Sequence, residues 1–400
     1  TVGSDQVVVA VLDTGILSGH PDLAGRLVGG YDFISDPEMA RDGDGRDPDP
    51  EDAGDDPRGF SPSFHGTHVT GIIGAVTANG LGVSGITWTC KILPVRVLGV
   101  GGGTSVDISE AIRYAAGLPN ASGTLPEKPA KIINLSLGLD AFSEIMQEAV
   151  REAQQAGAVL VAAAGNENTS RKFYPAAYQG VIAVSAVTPQ GLKASYSNWG
   201  PWIDVAAPGG DLTFDITGDS FPDGILSTSA RPFNRYNYEF EQGTSMAAPH
   251  VSGVFALMLS VNPKLTGQDF QLLLSGNHPE TKETITREAG VAGFDPLYGW
   301  GIIDAARAVH AATTIPGSTV SSPASSRLSV STLQLDFGNY IETLIVHITN
   351  SGTGILNIKR IWSNESWIKL EPTSGTAPLA LHVSVDRSGL AEAAYEGTIY

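Results

Sequence analysis

Val7-Val8-Val9-Ala10-Val11-Leu12 is an unbroken apolar run dominated by β-branched residues. A strand without polar alternation has no face to offer water, so it must be covered on both sides, as parallel strands of α/β folds are. Val159-Leu160-Val161-Ala162-Ala163-Ala164 repeats the pattern. A third apolar stretch, Val251 to Leu259 in the run that begins at Gly243, continues for several turns and is closed by Asn262-Pro263, which predicts a buried helix. The chain is therefore expected to be α/β, with a mainly parallel sheet flanked by helices.

The ends of these runs carry the chemistry. The first ends in Asp13-Thr14-Gly15 and the second in Gly165-Asn166. Carboxyl ends of strands are where open α/β sheets place their sites. Gly243-Thr244-Ser245-Met246-Ala247-Ala248-Pro249-His250 puts a serine at a helix mouth, where backbone N–H groups and a partial positive charge converge. Alone, Gly-Thr-Ser reads as a helix cap. Pro249 falls near enough to the first turn that its missing N–H is expected to cost little. A further segment, His65-Gly66-Thr67-His68-Val69-Thr70-Gly71, leads into an apolar stretch ending at Val76 that suits a small-residue helix. It offers two imidazoles one turn apart. A serine hydroxyl is a poor nucleophile at neutral pH, and an imidazole of pKa ~6.5, oriented by a carboxylate, can take its proton and later return it. Activity should then rise as that histidine becomes neutral.

These three motifs, in the order Asp, His, Ser, resemble those of the subtilisin-like serine proteases, and the resemblance runs from about residue 1 to about residue 312. It implies a three-layer peptidase domain over 1–312 and a triad of Asp13, His65 and Ser245, with His68 left to pack against the sheet. It also implies two donors to the negative oxygen of a tetrahedral intermediate, the Asn166 side chain and the Ser245 backbone N–H. Gly101-Gly102-Gly103-Thr104 and Asn134-Leu135-Ser136-Leu137-Gly138 resemble the two edges that clamp an extended peptide by backbone pairing. The pocket expected between Ser136-Leu137-Gly138 and Ala163-Ala164-Gly165 has small walls and room for a bulky apolar side chain. Glu167 at its rim would attract a basic one, and Arg171-Lys172-Phe173 would reshape its floor.

The resulting expectation is a hydrolase, a serine endopeptidase of broad specificity that prefers large apolar residues on the acyl side and needs no cofactor for catalysis. Its partners would be protein or peptide substrates. Two other readings use the same residues: a silent scaffold whose binding role lies in the C-terminal module, and peptide transacylation. A silent scaffold has no chemical need to keep Asp13, His65, Asn166 and Ser245 together.

The 400 residues suffice for one large domain and a small one, and a net charge of −18 argues against nucleic acid or anionic membranes as partners. No stretch of eighteen or more apolar residues is present, so no membrane span is expected. The single Cys90 cannot form an intramolecular disulfide and is expected to be buried or partly buried near a strand. By resemblance, the protein would be a secreted monomer released from a pro-segment.

Much of the charge is local. Residues 36–63 form an acidic insertion in which Asp42, Asp44, Asp47 and Asp49 alternate with glycines and a proline. Carboxylates at that spacing suit a hard cation such as a structural Ca2+, and a merely solvated acidic loop is the alternative. The resemblance implies a second calcium site at Asp22 and the loop Val76–Val83 with Asn79, although this loop is one residue longer than the common pattern.

Beyond the peptidase region, 313–331 is rich in Ser, Thr and Pro and reads as a linker. Leu333–Phe337, Leu344–Ile348 and Leu379–Val385 alternate with period two, broken by Asn350-Ser351-Gly352 and Pro372-Thr373-Ser374-Gly375, which predicts a small β-sandwich over 332–400. That region resembles the immunoglobulin-like modules of secreted bacterial enzymes, including the BACON type. Trp362 and Trp367 are expected in its core rather than on a sugar platform. The chain stops at Thr398-Ile399-Tyr400, which reads as a strand, so further strands are expected beyond it.

Overall fold

In the computed structural model, residues 1–231, 235–315, 328–338, 341–350, 356–391 and 394–400 are described. The chain forms two units, Thr1–Gly317 and Ser318–Tyr400. Strands of the first are β1 (Val8–Asp13), β2 (Tyr31–Asp32), β3 (Lys91–Arg96), β4 (Ile132–Leu135), β5 (Val159–Ala163), β6 (Ile182–Val187), β7 (Val205–Pro208), β8 (Ile225–Arg231), β9 (Arg235–Glu241), β10 (Thr286–Arg287) and β11 (Ile302–Ile303). Its helices are α1 (Pro37–Ala40), α2 (His65–Gly74), α3 (Ser105–Ala115), α4 (Glu144–Gln155), α5 (Thr244–Val261), α6 (Gly267–Leu274) and α7 (Ala305–Thr314).

Nine strands form one sheet in the order β10-β11-β7-β6-β5-β4-β1-β3-β2, all pairings parallel except β10 with β11. Successive residues of β1 point to opposite faces, and both are covered. Val9 and Val11 join Val69, Ile73, Val251 and Phe255 of α2 and α5, while Val8, Ala10 and Leu12 join Ile108, Ile112, Met146 and Val150 of α3 and α4. Burying each such Val or Leu contributes ~1.5–3 kcal/mol, which is why the runs carry no polar position. Strand order reverses at β1, whose neighbours are β3 and β4. A crevice opens at such a reversal, outside the carboxyl ends of the strands.

Helix α5 has 18 residues with a mean hydropathy of 1.3, so it reaches the length and composition of a membrane span that the sequence was expected to lack. It is 78% buried within the unit and packs in the core, as the central helix of a globular domain does. Cys90 is fully buried beside β3, and burial pushes its thiol up to about 11.

The second unit holds β12 (Leu328–Val330), β13 (Thr343–Asn350), β14 (Asn357–Ile358), β15 (Ile368–Glu371), β16 (Gly375–Thr376) and β17 (Leu379–Val385). Four form an antiparallel sheet, β12-β13-β17-β15, and β14 pairs with β16. Val346, Ile348, Ile361, Leu381 and Val383 make its core. Three expectations are corrected. Leu333–Phe337 is not a strand: Leu333 is 97% exposed, and only Leu335 and Phe337 reach the core. The linker is shorter than 313–331, since 313–314 end α7 and 328–330 are β12; its middle, 316–327, and the turn residues 351–352 lie outside the described residues. Trp362 is 43% exposed and stacks on Tyr400 with ring centroids 4.4 Å apart, and the partly buried Trp367 meets the edge of Tyr395, so neither is a core tryptophan.

Candidate active site

β1 delivers Asp13 to the floor of the crevice, fully buried. Its Oδ1 lies 2.7 Å from His65 Nδ1 and accepts the Thr14 N–H at 2.8 Å. His65 is the first residue of α2, and about a fifth of its side chain (21%) is exposed. The helix can start this close to the strand end because residue 66 is glycine: a Cβ there would sit 2.2 Å from the Gly15 carbonyl. Thr14 Oγ1 locks the approach, accepting from Gly66 N at 3.0 Å and donating to Asp52 Oδ2 at 2.6 Å. Asp52 is thus a buried anchor rather than a solvated member of the acidic loop, and burial pushes it up to about 6.

Burial opposes a charge on His65, but Asp13, with Glu241 and Asp55 behind it, outweighs burial and holds the imidazole up at about 9. His68 is different. It is fully buried, its Nε2–H faces the carbonyls of Ile225 and Glu239 at 3.0 Å each, and burial drives it down to about 4. It is a neutral tie between α2 and the β8–β9 hairpin.

Ser245 is partly exposed in the first turn of α5, between buried Thr244 and Met246. The N-cap is Gly243, at φ 153°, so the serine is not the cap. Its hydroxyl donates to the Ser136 carbonyl at 3.3 Å; among the described residues no hydrogen bond joins it to His65. Asn166 Oδ1 accepts from Thr244 N at 2.9 Å and Thr244 Oγ1 at 3.0 Å. With the amide oxygen held, Nδ2 is the end left without a partner among the described residues. Thr244 Oγ1 also accepts from Gly165 N at 3.0 Å, so one hydroxyl fixes the relation of β5 to α5. Thr244 was not singled out from the sequence, although it sits inside the motif that was.

The profile described as the subtilase family matches residues 4–301. This chain belongs to that family. The BACON profile, described as a viral BACON domain, matches residues 327–400. The subtilase is 42% identical over 318 residues to "Extracellular protease" of Xanthomonas campestris pv. campestris, covering 76% of this chain and 51% of that one. It is 40% identical over 327 residues to "Extracellular basic protease" of Dichelobacter nodosus, covering 76% and 50%. Among solved structures, one titled as a protease from Pseudoalteromonas arctica superposes with a TM-score of 0.70 at 40% identity, over 78% of this chain and 91% of that one. The chain spans about half the length of the two curated relatives.

The remaining sequence-predicted residues fall less simply in this subtilase. Gly101 and Gly102 take positive φ (84° and 104°) beside the Gly99–Gly102 bridge, and Gly103 abuts the Val97 carbonyl. Ser136, Leu137 and Gly138 follow β4. Ala163 and Ala164, expected to line the pocket, are sealed in the core at 2% and 0% exposure. Phe173 fills the space between the segments: a Cβ on Gly138 would lie 2.4 Å from its ring, and one on Gly165 3.1 Å. Beside it is a cavity of about 230 Å3 with Leu139 and Phe173 as apolar wall and Asp140, Glu167, Arg171 and Lys172 among its other lining residues. Glu167 Oε2 is held by Asn166 N at 2.9 Å and Asn198 Nδ2 at 2.8 Å.

Of the acidic loop residues, Asp42, Asp44 and Asp47 place carboxylate oxygens within 4.8 Å of one another. Asp49 does not join them and accepts Glu51 N at 3.1 Å instead. Burial, together with Asp44 and Asp42, pushes Asp47 up, and Asp42 also meets the fully buried Arg96, which pairs with Asp32 at 2.6 Å. Three converging hard oxygens with one partial counter-charge fit a divalent cation. At the second expected site, Asn79 Nδ2 donates to Asp22 Oδ1 at 2.6 Å, Val83 N donates to Asp22 Oδ2 at 3.0 Å, and Asn79 Oδ1 accepts Leu81 N at 3.0 Å.

Proposed function

We propose that this subtilase is a secreted serine endopeptidase in which Ser245 attacks, His65 relays the proton and Asp13 orients the imidazole. The observation that carries the reading is the 2.7 Å contact between His65 Nδ1 and the buried Asp13, with Nε2 making no hydrogen bond among the described residues and Ser245 partly exposed in the first turn of α5. On substrate binding the Ser245 hydroxyl turns from the Ser136 carbonyl to Nε2. Its oxygen adds to the scissile carbonyl, and His65 takes the proton. The oxyanion is met by Asn166 Nδ2, whose other end Thr244 holds, and by the Ser245 N–H. His65 then protonates the leaving amine, and water releases the acyl group by the same route reversed.

Proteins and peptides bound in extended form between 101–103 and 136–138 are the substrates, with large apolar side chains favoured on the acyl side against Leu139 and Phe173. Relatives named extracellular proteases support secretion. Asp42, Asp44 and Asp47 would hold a structural Ca2+ that ties down the acidic loop and takes no part in catalysis. The test is casein hydrolysis with and without a serine-directed phosphonate, beside a Ser245→Ala variant. Cleavage abolished by both supports the reading; cleavage that survives either one overturns it.

A further inference from the structure

The turn that carries Asn166 out of β5 does not hold its own shape. Gly165 and Asn168 take positive φ, 97° and 49°, so residues 165–169 form neither helix nor strand. Buried backbone N–H groups need partners, and here each partner is a side chain or a carbonyl from another segment. Gly165 N donates to Thr244 Oγ1 at 3.0 Å and Asn168 N to the Tyr196 carbonyl at 2.8 Å. Glu167 N and Thr169 N both donate to Asn198 Oδ1, at 3.0 and 3.1 Å. The exception is Asn166 N, which donates within the turn to Glu167 Oε2 at 2.9 Å, and Asn198 Nδ2 holds that same oxygen at 2.8 Å.

Asn198 is fully buried, and both ends of its amide are in use. Nδ2 also donates to the Ala164 carbonyl at 2.9 Å, and Asn198 N to the Gly165 carbonyl at 3.0 Å. One residue therefore grips the chain on both sides of Asn166, at Ala164 and Gly165 before it and at Glu167 and Thr169 after it. Glycine at 165 permits the approach, since a Cβ there would lie 2.3 Å from Asn198 Nδ2. The far end of the turn is fastened to the same segment by Lys193, whose Nζ donates to Asn168 Oδ1 at 3.0 Å and to the Ala194 and Ser197 carbonyls at 2.9 and 2.8 Å.

We infer that Asn198 is a positioning residue for the oxyanion donor: it fixes the backbone of Asn166, as Thr244 fixes the side chain. The inference rests on the endopeptidase reading above and names what aims Asn166 Nδ2. Buried as it is, Asn198 is closed to substrate, so its effect passes through Asn166. Such a donor is effective only when it already points to where the oxygen carries its charge in the transition state, and a displacement of about 1 Å costs up to ~100-fold. The peptide itself is gripped by 101–103 and 136–138, which Asn198 does not touch. Loss of the clamp should therefore fall on kcat and spare KM.

The experiment measures kcat and KM on one peptide anilide for wild type, Asn198→Ala, Asn166→Ala and the double variant, at a temperature where circular dichroism shows all four folded. Asn198→Ala should lower kcat by ~10- to 100-fold with KM changed less than about twofold. In the Asn166→Ala background the same substitution should cost less than about twofold, because the donor it aims is already gone. A peptide aldehyde, whose adduct oxygen takes the oxyanion position, should bind Asn198→Ala more weakly by the factor that kcat/KM loses. Should Asn198→Ala fail to fold, Asn198→Ser keeps a hydroxyl that accepts one of the two N–H groups, and it goes through the same cycle. Its expected loss is smaller, about threefold or more, and likewise vanishes without Asn166. An equal loss in both backgrounds, a rise in KM at unchanged kcat, or an unchanged kcat in the Asn198 variant overturns the positioning role and leaves the endopeptidase standing. An unchanged kcat in Asn166→Ala itself would overturn the oxyanion assignment and the positioning role together.

Discussion

Ser136 Oγ donates to the backbone carbonyl of Ser245 at 2.8 Å, supplying the hydrogen bond that α5 itself cannot make there. In an uninterrupted helix that carbonyl would be met by the N–H of the residue four positions on, and that residue is Pro249. The arrangement continues inward: Asn134 Nδ2 donates to Ser136 Oγ at 2.9 Å, and Ser252 Oγ donates to Asn134 Oδ1 at 2.8 Å. The missing donor has thus been used to tie the turn that carries Ser245 to the end of β4.

Ser136→Ala should leave the Ser245 carbonyl unsatisfied and destabilise the protein by ~1–3 kcal/mol. Pro249→Ala restores a helical N–H, so in that background the same change should cost markedly less. Denaturant melts of the four proteins in the cycle measure the coupling.

Asn166→Ala should lower kcat by ~100- to 1,000-fold with little change in KM, a magnitude known from subtilisin itself rather than derived from this structure. Thr244→Val, which frees the Asn166 oxygen, should lower kcat in the same direction but less. A rise in KM at unchanged kcat for both variants would remove Asn166 from the transition state and make it a binding residue.

The alkaline imidazole sets a pH dependence. His65 is raised from an ordinary ~6.5 to about 9, because Asp13 outweighs its burial. Its charged form therefore stabilises the fold fully below ~6.5, and that contribution is lost as pH rises through about 9. Activity runs the other way, since the neutral ring is the base: kcat/KM should climb through about pH 9, higher than an unperturbed histidine would place it. Asp13→Asn should move that limb downward, which pH profiles of the two proteins would show.

Chelation should lower Tm, and Ca2+ should restore it. At a free concentration ~100-fold over Kd the linkage is ~2.7 kcal/mol, worth several degrees in a domain of this size. Asp44→Asn with Asp47→Asn should abolish the response while leaving the chelated Tm little changed or higher, because a repulsion has also been removed. A chelation response that survives the double variant would place the cation elsewhere.

Strand ends and the central helix were legible because burial on both faces suppresses polar residues, and β1, β5 and α5 each show that directly in Val7–Leu12, Val159–Ala164 and Val251–Leu259. Asp13 and Asn166 follow the ends of two of those runs and Ser245 precedes the start of the third, so all three could be read with them. What failed depends on partners distant in sequence. The β8–β9 hairpin alternates Tyr236, Tyr238 and Phe240 with polar residues, but its contact with α2 is made by the buried Ser227 and Thr228, whose hydroxyls donate to backbone carbonyls. Trp362 looks like a core residue until Tyr400 stacks on it at the surface. Pro249 looks harmless, and is so only because Ser136 compensates it.

Every step of the mechanism depends on Ser245 as the nucleophile, and the most direct measurement is the mass of the peptide that contains it after reaction with a serine-directed phosphonate. The expected result is one phosphonyl adduct on Ser245, formed in step with loss of activity, absent in Ser245→Ala and slowed strongly in His65→Ala. An adduct on another residue, or inactivation that proceeds with Ser245 unmodified, would contradict it.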